Sequence, residues 1–206
     1  MNAELETARD HLAYMRSLVG GTERMQKTIG EAFFWAGLLY GGQCLLHWLQ
    51  TIGWAPSVGP VALAIVIVPT LIFVGVLTMI VIKDRNAPRG GPGARALESV
   101  FQGAGLANLA MAFVFAYGAN TFNAPGLWLY HPVVVCMFQG VAWYVAFNVL
   151  RHAWLGFVAA GWFVTTIALG VLMTNVGAFV LVLAVALVVL MAIPGWVIWR
   201  GAKKAG

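Results

Sequence analysis

Charge is scarce in this chain, and scarcest on the acidic side: 206 residues hold seven Asp and Glu against twelve Lys and Arg. Charged residues make up 9% and hydrophobic ones 61%, a balance outside that of a water-soluble domain. Between Glu31 and Lys83, between Glu98 and Arg151, and between Arg151 and Arg200 there is no Asp, Glu, Lys or Arg at all. Cysteine is nearly missing too. Cys44 and Cys136 lie in apolar segments without a CxxC or a Cys/His spacing, so neither a disulfide framework nor a zinc site is signalled. No lysine falls inside an apolar segment, which leaves a retinal-type Schiff base without an anchor. The sequence also lacks an HExxH, a Ser/His/Asp arrangement and a phosphate-binding Gly-rich loop, so it names no reaction and the expectation is a protein that is not an enzyme. Residues 1 to 28 mix Glu, Asp, Arg and Lys where a cleavable signal would need a continuous apolar run, so the first apolar segment is expected to act as an uncleaved anchor.

What is present is hydrocarbon. Each charge-free gap runs to roughly fifty residues, too long for one membrane span of about 20 and right for two. A breaker sits near the middle of each: Trp54-Ala55-Pro56-Ser57 with Gly59-Pro60, then Asn120 to Gly126, then Thr174-Asn175-Val176-Gly177. The pattern predicts an all-α polytopic membrane protein of six transmembrane helices in three hairpins: Gly30 to Gly53, Gly59 to Ile82, Ser99 to Asn120, Leu129 to Leu150, Ala153 to Met173 and Gly177 to Trp199. As organised units these are a cytoplasmic amphipathic segment over 1–28, the bundle over 29–200 and a cytoplasmic tail over 201–206. All twelve Lys and Arg then fall on one side, which the positive-inside rule makes cytoplasmic, with both termini there, as in a bacterial inner membrane. The same grouping explains the net charge of +5 without nucleic acid, because the basic residues flank apolar runs instead of clustering on one face. Trp48, Trp54, Trp128, Trp154, Trp196 and Trp199 fall near predicted helix ends, where an amphipathic ring suits the headgroup layer; Trp143 and Trp162 fall nearer the middle and are expected to pack. The connection from Asp84 to Leu97, rich in Gly, Pro and Arg, is expected to be the most mobile loop on that side.

Polar side chains within the spans recur on single helix faces. Tyr40, Gln43, His47 and Gln50 share one face of the first helix, Glu98, Gln102, Gly105 and Asn108 one of the third, and Gln139 lies on the fourth. Polar groups in hydrocarbon seek partners, so these faces are expected to turn toward one another, either as interhelical glue or as a polar path through the first, third and fourth helices. Glu31 and Glu98 open their predicted helices; each reads as a proton or cation acceptor, or as a carboxylate favoured at a helix start, with Thr28 and Glu31 matching a capping box. His47 and His131 raise a b-type haem as a further reading, at depths differing by about 5 Å. No further motif supports a cofactor or a metal. A weak parallel repeat sets Glu31-Ala32-Phe33-Phe34 beside Glu98-Ser99-Val100-Phe101. Gly37 and Gly41 form a GxxxG, Pro69 and Pro194 are expected to kink their helices, and the sixth helix, without a polar group from Val180 to Val189, is expected to face lipid on much of its surface.

The N-terminal segment departs from this pattern. Leu5, Ala8, Leu12, Met15 and Val19 recur at spacings of three and four opposite Glu4, Glu6, Arg9, Asp10 and Arg16, which predicts an amphipathic helix ended by Gly20-Gly21, then a short second helix from Thr22. Three readings follow: the helix packs under its own bundle, lies on the lipid surface, or docks a cytoplasmic protein or a second copy through Leu5, Leu12, Met15 and Val19. The expected function is a non-enzymatic membrane protein whose cytoplasmic face engages a protein partner in a regulatory or complex-subunit role. A small transporter or channel is the alternative, and a haem- or quinone-linked redox protein comes third.

Overall fold

The computed structural model describes the backbone of residues 2–85 and 91–205, and side chains over 26–85 and 91–201. Among the described residues every regular element is helical, as the apolar periodicity requires of a chain that must satisfy its backbone in lipid. Helix α1 is Asn2–Thr51, α2 Gly59–Asp84, α3 Pro92–Thr121, α4 Tyr130–Leu150, α5 Ala153–Val171, α6 Val176–Leu187 and α7 Ile193–Ala205. A single turn of 3-10 helix, Pro125–Leu129, leads into α4 and another, Leu172–Thr174, ends α5; a π turn, Val188–Ala192, joins α6 to α7.

Five segments are long and apolar enough to cross a membrane, namely Gly59–Asp84, Pro92–Thr121, Pro125–Leu150, Ala153–Thr174 and Val176–Gly201. The protein is an integral membrane protein. The predicted span Gly30 to Gly53 lies in α1 and is not among the five, because Gly37, Gly41, Gly42, Gln43, His47 and Gln50 dilute its hydropathy. Its placement explains that composition. α1 packs along α2, α6, the π turn and α7 and touches α3, so this helix is lined by protein more than by lipid.

Two sequence expectations fail in the backbone. Gly20-Gly21 does not end a helix, since α1 is unbroken from Asn2 to Thr51. A mid-helix glycine costs only about 1 kcal/mol, and Thr22 to Gln26 continue without a proline, so the hydrogen-bond ladder runs through. The connection after Asp84 is also shorter than expected, because α3 starts at Pro92, a residue suited to a first helical turn, and turns Ala94 and Leu97 into the interior.

The turns use their breakers. Gly53 and Gly59 adopt positive φ on either side of Trp54 to Val58, and Asn123 does so in the next turn. Arg151, at φ 57°, ends α4 in the left-handed conformation and leaves only His152 before α5. Asn175 caps α6 by accepting from the Ala178 amide at 3.1 Å.

The last span leaves Val185, Val188 and Val189 exposed, and turns its other face inward. Phe179, Leu183, Ala184, Ala186 and Leu187 are buried, and the reason is glycine on both sides of its contact with α1. A Cβ at Gly37 would stand 2.7 Å from the Leu187 carbonyl oxygen, one at Gly30 would stand 2.8 Å from the Gly195 oxygen, and one at Gly195 would stand 2.5 Å from the Phe34 nitrogen. The first and last spans therefore meet backbone to backbone, so the GxxxG serves internal packing. α4 and α5 form the other extensive contact, around Trp143, Leu155, Ala159 and Trp162. α2 and α3 hold the periphery, with Ile80 buried on α2 and Ala94 and Leu97 on α3 among the described residues.

Candidate functional site

The polar residues of α1 find partners near the uncharged end. His47 Nδ1 lies 2.8 Å from Gln50 Oε1, and Gln50 Nε2 donates to the Pro56 carbonyl at 2.7 Å, tying the helix to the turn that follows it. Gln43 Nε2 donates to the Val66 carbonyl of α2 at 3.3 Å, and the Tyr40 ring meets Phe73 edge-on at 5.5 Å. Three of the predicted residues thus tie α1 to the first turn and to α2, while His47 holds Gln50 within the helix.

α3 behaves differently. Glu98 and Gln102 are exposed and bond each other, Gln102 Nε2 donating to Glu98 Oε1 at 3.0 Å, so they lie outside the bundle and line no interior path. The cause is register: Ala94, Leu97 and Phe101 turn inward, which sends positions 98 and 102 outward. Because α3 begins at Pro92, Glu98 is also past the first turn, where a carboxylate gains most from the helix dipole. Asn108 is half-buried and Gln139 is buried. Their side-chain oxygens, with the Trp143 indole nitrogen, are buried without a hydrogen-bond partner among the described residues. Such groups cost stability in hydrocarbon and leave this part of the core under-satisfied.

Thr28 and Glu31 form no capping box, because they sit inside unbroken α1 where the backbone amides are already paired. Thr28 Oγ1 instead donates to Asp84 Oδ2 at 2.9 Å, a link from α1 to the end of α2 at the charged end of the bundle. His131 stacks on Trp128 at 5.2 Å, meets Phe115 edge-on and lies 3.4 Å from the Asn108 carbonyl, while His47 is engaged with Gln50. The two imidazoles are thus held by different elements.

One interaction was not foreseen. Pro194 has no amide hydrogen to give the Leu190 carbonyl one turn earlier, and the Trp162 indole nitrogen, on a side chain 0% exposed, donates to that carbonyl at 3.2 Å. The proline was a visible signal; the partner was not, because it comes from another helix. Around the charged end Phe33, Phe101 and Trp143 meet edge-on with centroids 5.0 to 5.8 Å apart, closing the bundle beneath a small apolar cleft lined by Gln26, Ile29, Leu97 and Ile198. Cys44 and Cys136 pack in the same core as free thiols. The proposed partner-binding residues Leu5, Leu12, Met15 and Val19 lie outside the residues whose side chains are described. Compared with known proteins, the chain matches no family model, no curated protein and no solved structure.

Proposed function

We propose that this chain is a six-span bacterial inner-membrane protein of three hairpins, with both termini in the cytoplasm, that performs no chemistry and engages a cytoplasmic protein partner through the extension of α1. The sixth span in this reading is the α1 segment from Gly30 to Gly53, whose modest hydropathy is tolerated because protein lines it. The observation that carries the partner reading is the continuity of α1. Its 50 residues reach about 75 Å at 1.5 Å per residue, against a hydrocarbon core of about 30 Å. With no break at Gly20-Gly21, the N-terminal part continues along the helix axis and has no hinge by which to fold back under its own bundle. The stripe of Leu5, Leu12, Met15 and Val19 read from the sequence is then carried away from the bundle, and its mixed-charge opposite face suits a protein better than a lipid surface. A continuous polar path draws no support from Glu98 and Gln102, which face outward.

The test is the double change Leu12→Glu with Met15→Glu, which puts two carboxylates into the stripe. A stoichiometric partner that co-purifies with the wild-type chain from native membranes is expected to be lost, with the melting temperature unchanged. A lowered melting temperature with the partner retained would overturn the proposal.

A further inference from the structure

Three of the buried polar atoms without a partner among the described residues lie where α3 packs on α4: Asn108 Oδ1, Gln139 Oε1 and Trp143 Nε1. Gln139 is 9% exposed and Trp143 1%. Hydrocarbon offers such atoms nothing to bond, and each one left unpaired costs stability, so three on one seam point to a guest that pairs them. Their positions follow from the register of the two helices. The Asn108 carbonyl lies 3.4 Å from His131 Nε2, the Phe101 ring meets Trp143 at 5.8 Å, and a Cβ at Gly93 would lie 3.6 Å from Val149 Cγ1, so α3 runs antiparallel along α4. In that register Asn108 stands about one turn from Gln139, and Gln139 about one turn from Trp143. Side chains lean toward the N-terminus of their own helix, and in an antiparallel pair these leans oppose. Asn108 and Trp143 therefore incline toward each other across the level of Gln139.

We propose that this seam is a binding site for one water molecule, which accepts from Trp143 Nε1 and donates to Asn108 Oδ1 and Gln139 Oε1. The hydrogen-bond inventory selects the guest. The seam presents one donor and two acceptors, so its occupant must supply one acceptor and two donors, and water does so with a single oxygen. The hydroxyl of a lipid or a quinol has one O–H and would leave an amide oxygen unpaired. An ammonium has no lone pair for the indole, and an anion would face two oxygens. Three bonds are also the usual number for a water held inside a protein. The surroundings suit a small guest, because Cys136, on the same helix, is 0% exposed and Phe33 and Phe101 close edge-on against the Trp143 ring. The bridge fastens α3 near the middle of its length to α4, the helix on which it chiefly packs. Neither the extension of α1 nor its partner is needed for this site.

The experiment is NMR cross-relaxation between indole protons and water on the full chain in detergent micelles, with isotope-labelled tryptophan and the Trp143 signal assigned by its loss in Trp143→Phe. The Trp143 indole proton is expected to show a dipolar cross-peak at the water frequency. Trp162, whose indole nitrogen is equally buried but donates to the Leu190 carbonyl at 3.2 Å, is the reference and is expected to show none. Asn108→Leu with Gln139→Leu removes both acceptors and is expected to abolish the Trp143 cross-peak while the Trp162 signal keeps its position, which reports that the bundle is still folded. Should the pair prevent folding, Gln139→Leu alone is expected to weaken water binding about 3- to 10-fold, the loss of one hydrogen bond. No water cross-peak at Trp143, an equal one at Trp162, a cross-peak to detergent or lipid in its place, or one indifferent to these substitutions would each overturn the proposal.

Discussion

Replacing Gly37 by alanine tests the contact on which the bundle is built. The added methyl would lie 2.7 Å from the Leu187 oxygen and 2.8 Å from the Ala192 Cα, both backbone atoms that no rotamer change can move. Restoring ordinary separation of about 3.5 Å requires α1 and the π turn to part by nearly 1 Å, which forfeits a quarter to a half of the dispersion energy of the contacts beside it. Overpacking of this kind typically costs about 1–3 kcal/mol. The same substitution also improves helix propensity by up to about 1 kcal/mol, so Gly37→Ala alone is a poor measure. Gly42→Ala supplies the correction, because Gly42 is on the same helix and a Cβ there meets nothing within 4 Å. Propensity is common to both variants and cancels. Their difference should be the steric cost, about 1–3 kcal/mol, or roughly a 5- to 150-fold shift in the unfolding equilibrium. Reversible unfolding in mixed micelles, titrated with a denaturing detergent, reads it directly. If Gly37→Ala proves as stable as Gly42→Ala, the backbone-to-backbone packing of the first and last spans is wrong.

Three further outcomes are expected. Trp162→Phe should cost about 1–3 kcal/mol in the same assay, because the Leu190 carbonyl loses its donor where Pro194 offers none, whereas Trp154→Phe, at a residue 37% exposed, should cost little; equal losses would refute the role of the indole hydrogen. His47→Gln should leave folding nearly intact, since glutamine can keep a bond to Gln50, and the purified protein should show no Soret band after haem supplementation; a band abolished by that substitution would reverse the assignment. A reporter fused after Gly206 should be cytoplasmic and one inserted near Asn123 outside, and finding both on one side would remove the six-span topology.

Hydropathy made the membrane class and five of the spans legible, because transfer of backbone and side chains into hydrocarbon is decided residue by residue, with no need to know the neighbours. The turns were legible for the same local reason, Gly53, Gly59 and Asn123 supplying the positive φ that the turns between helices require. The N-terminal helix was legible as a helix, yet Gly20-Gly21 misled, since a glycine pair is only a weak breaker once good helix formers lie on both sides. Which way a helix faces was another matter. The uniformly apolar last span buried one face against α1 and the Glu98–Gln102 pair of α3 turned outward, because the outcome depended on where glycine lets two backbones meet, at Gly30, Gly37 and Gly195, and that is a relation between segments far apart in sequence. Pro194 announced a defect in the last span, but only the tertiary structure decided that Trp162 would reach across to satisfy it, since hydrogen bonds in a membrane interior go to whatever packing brings within 3 Å or so.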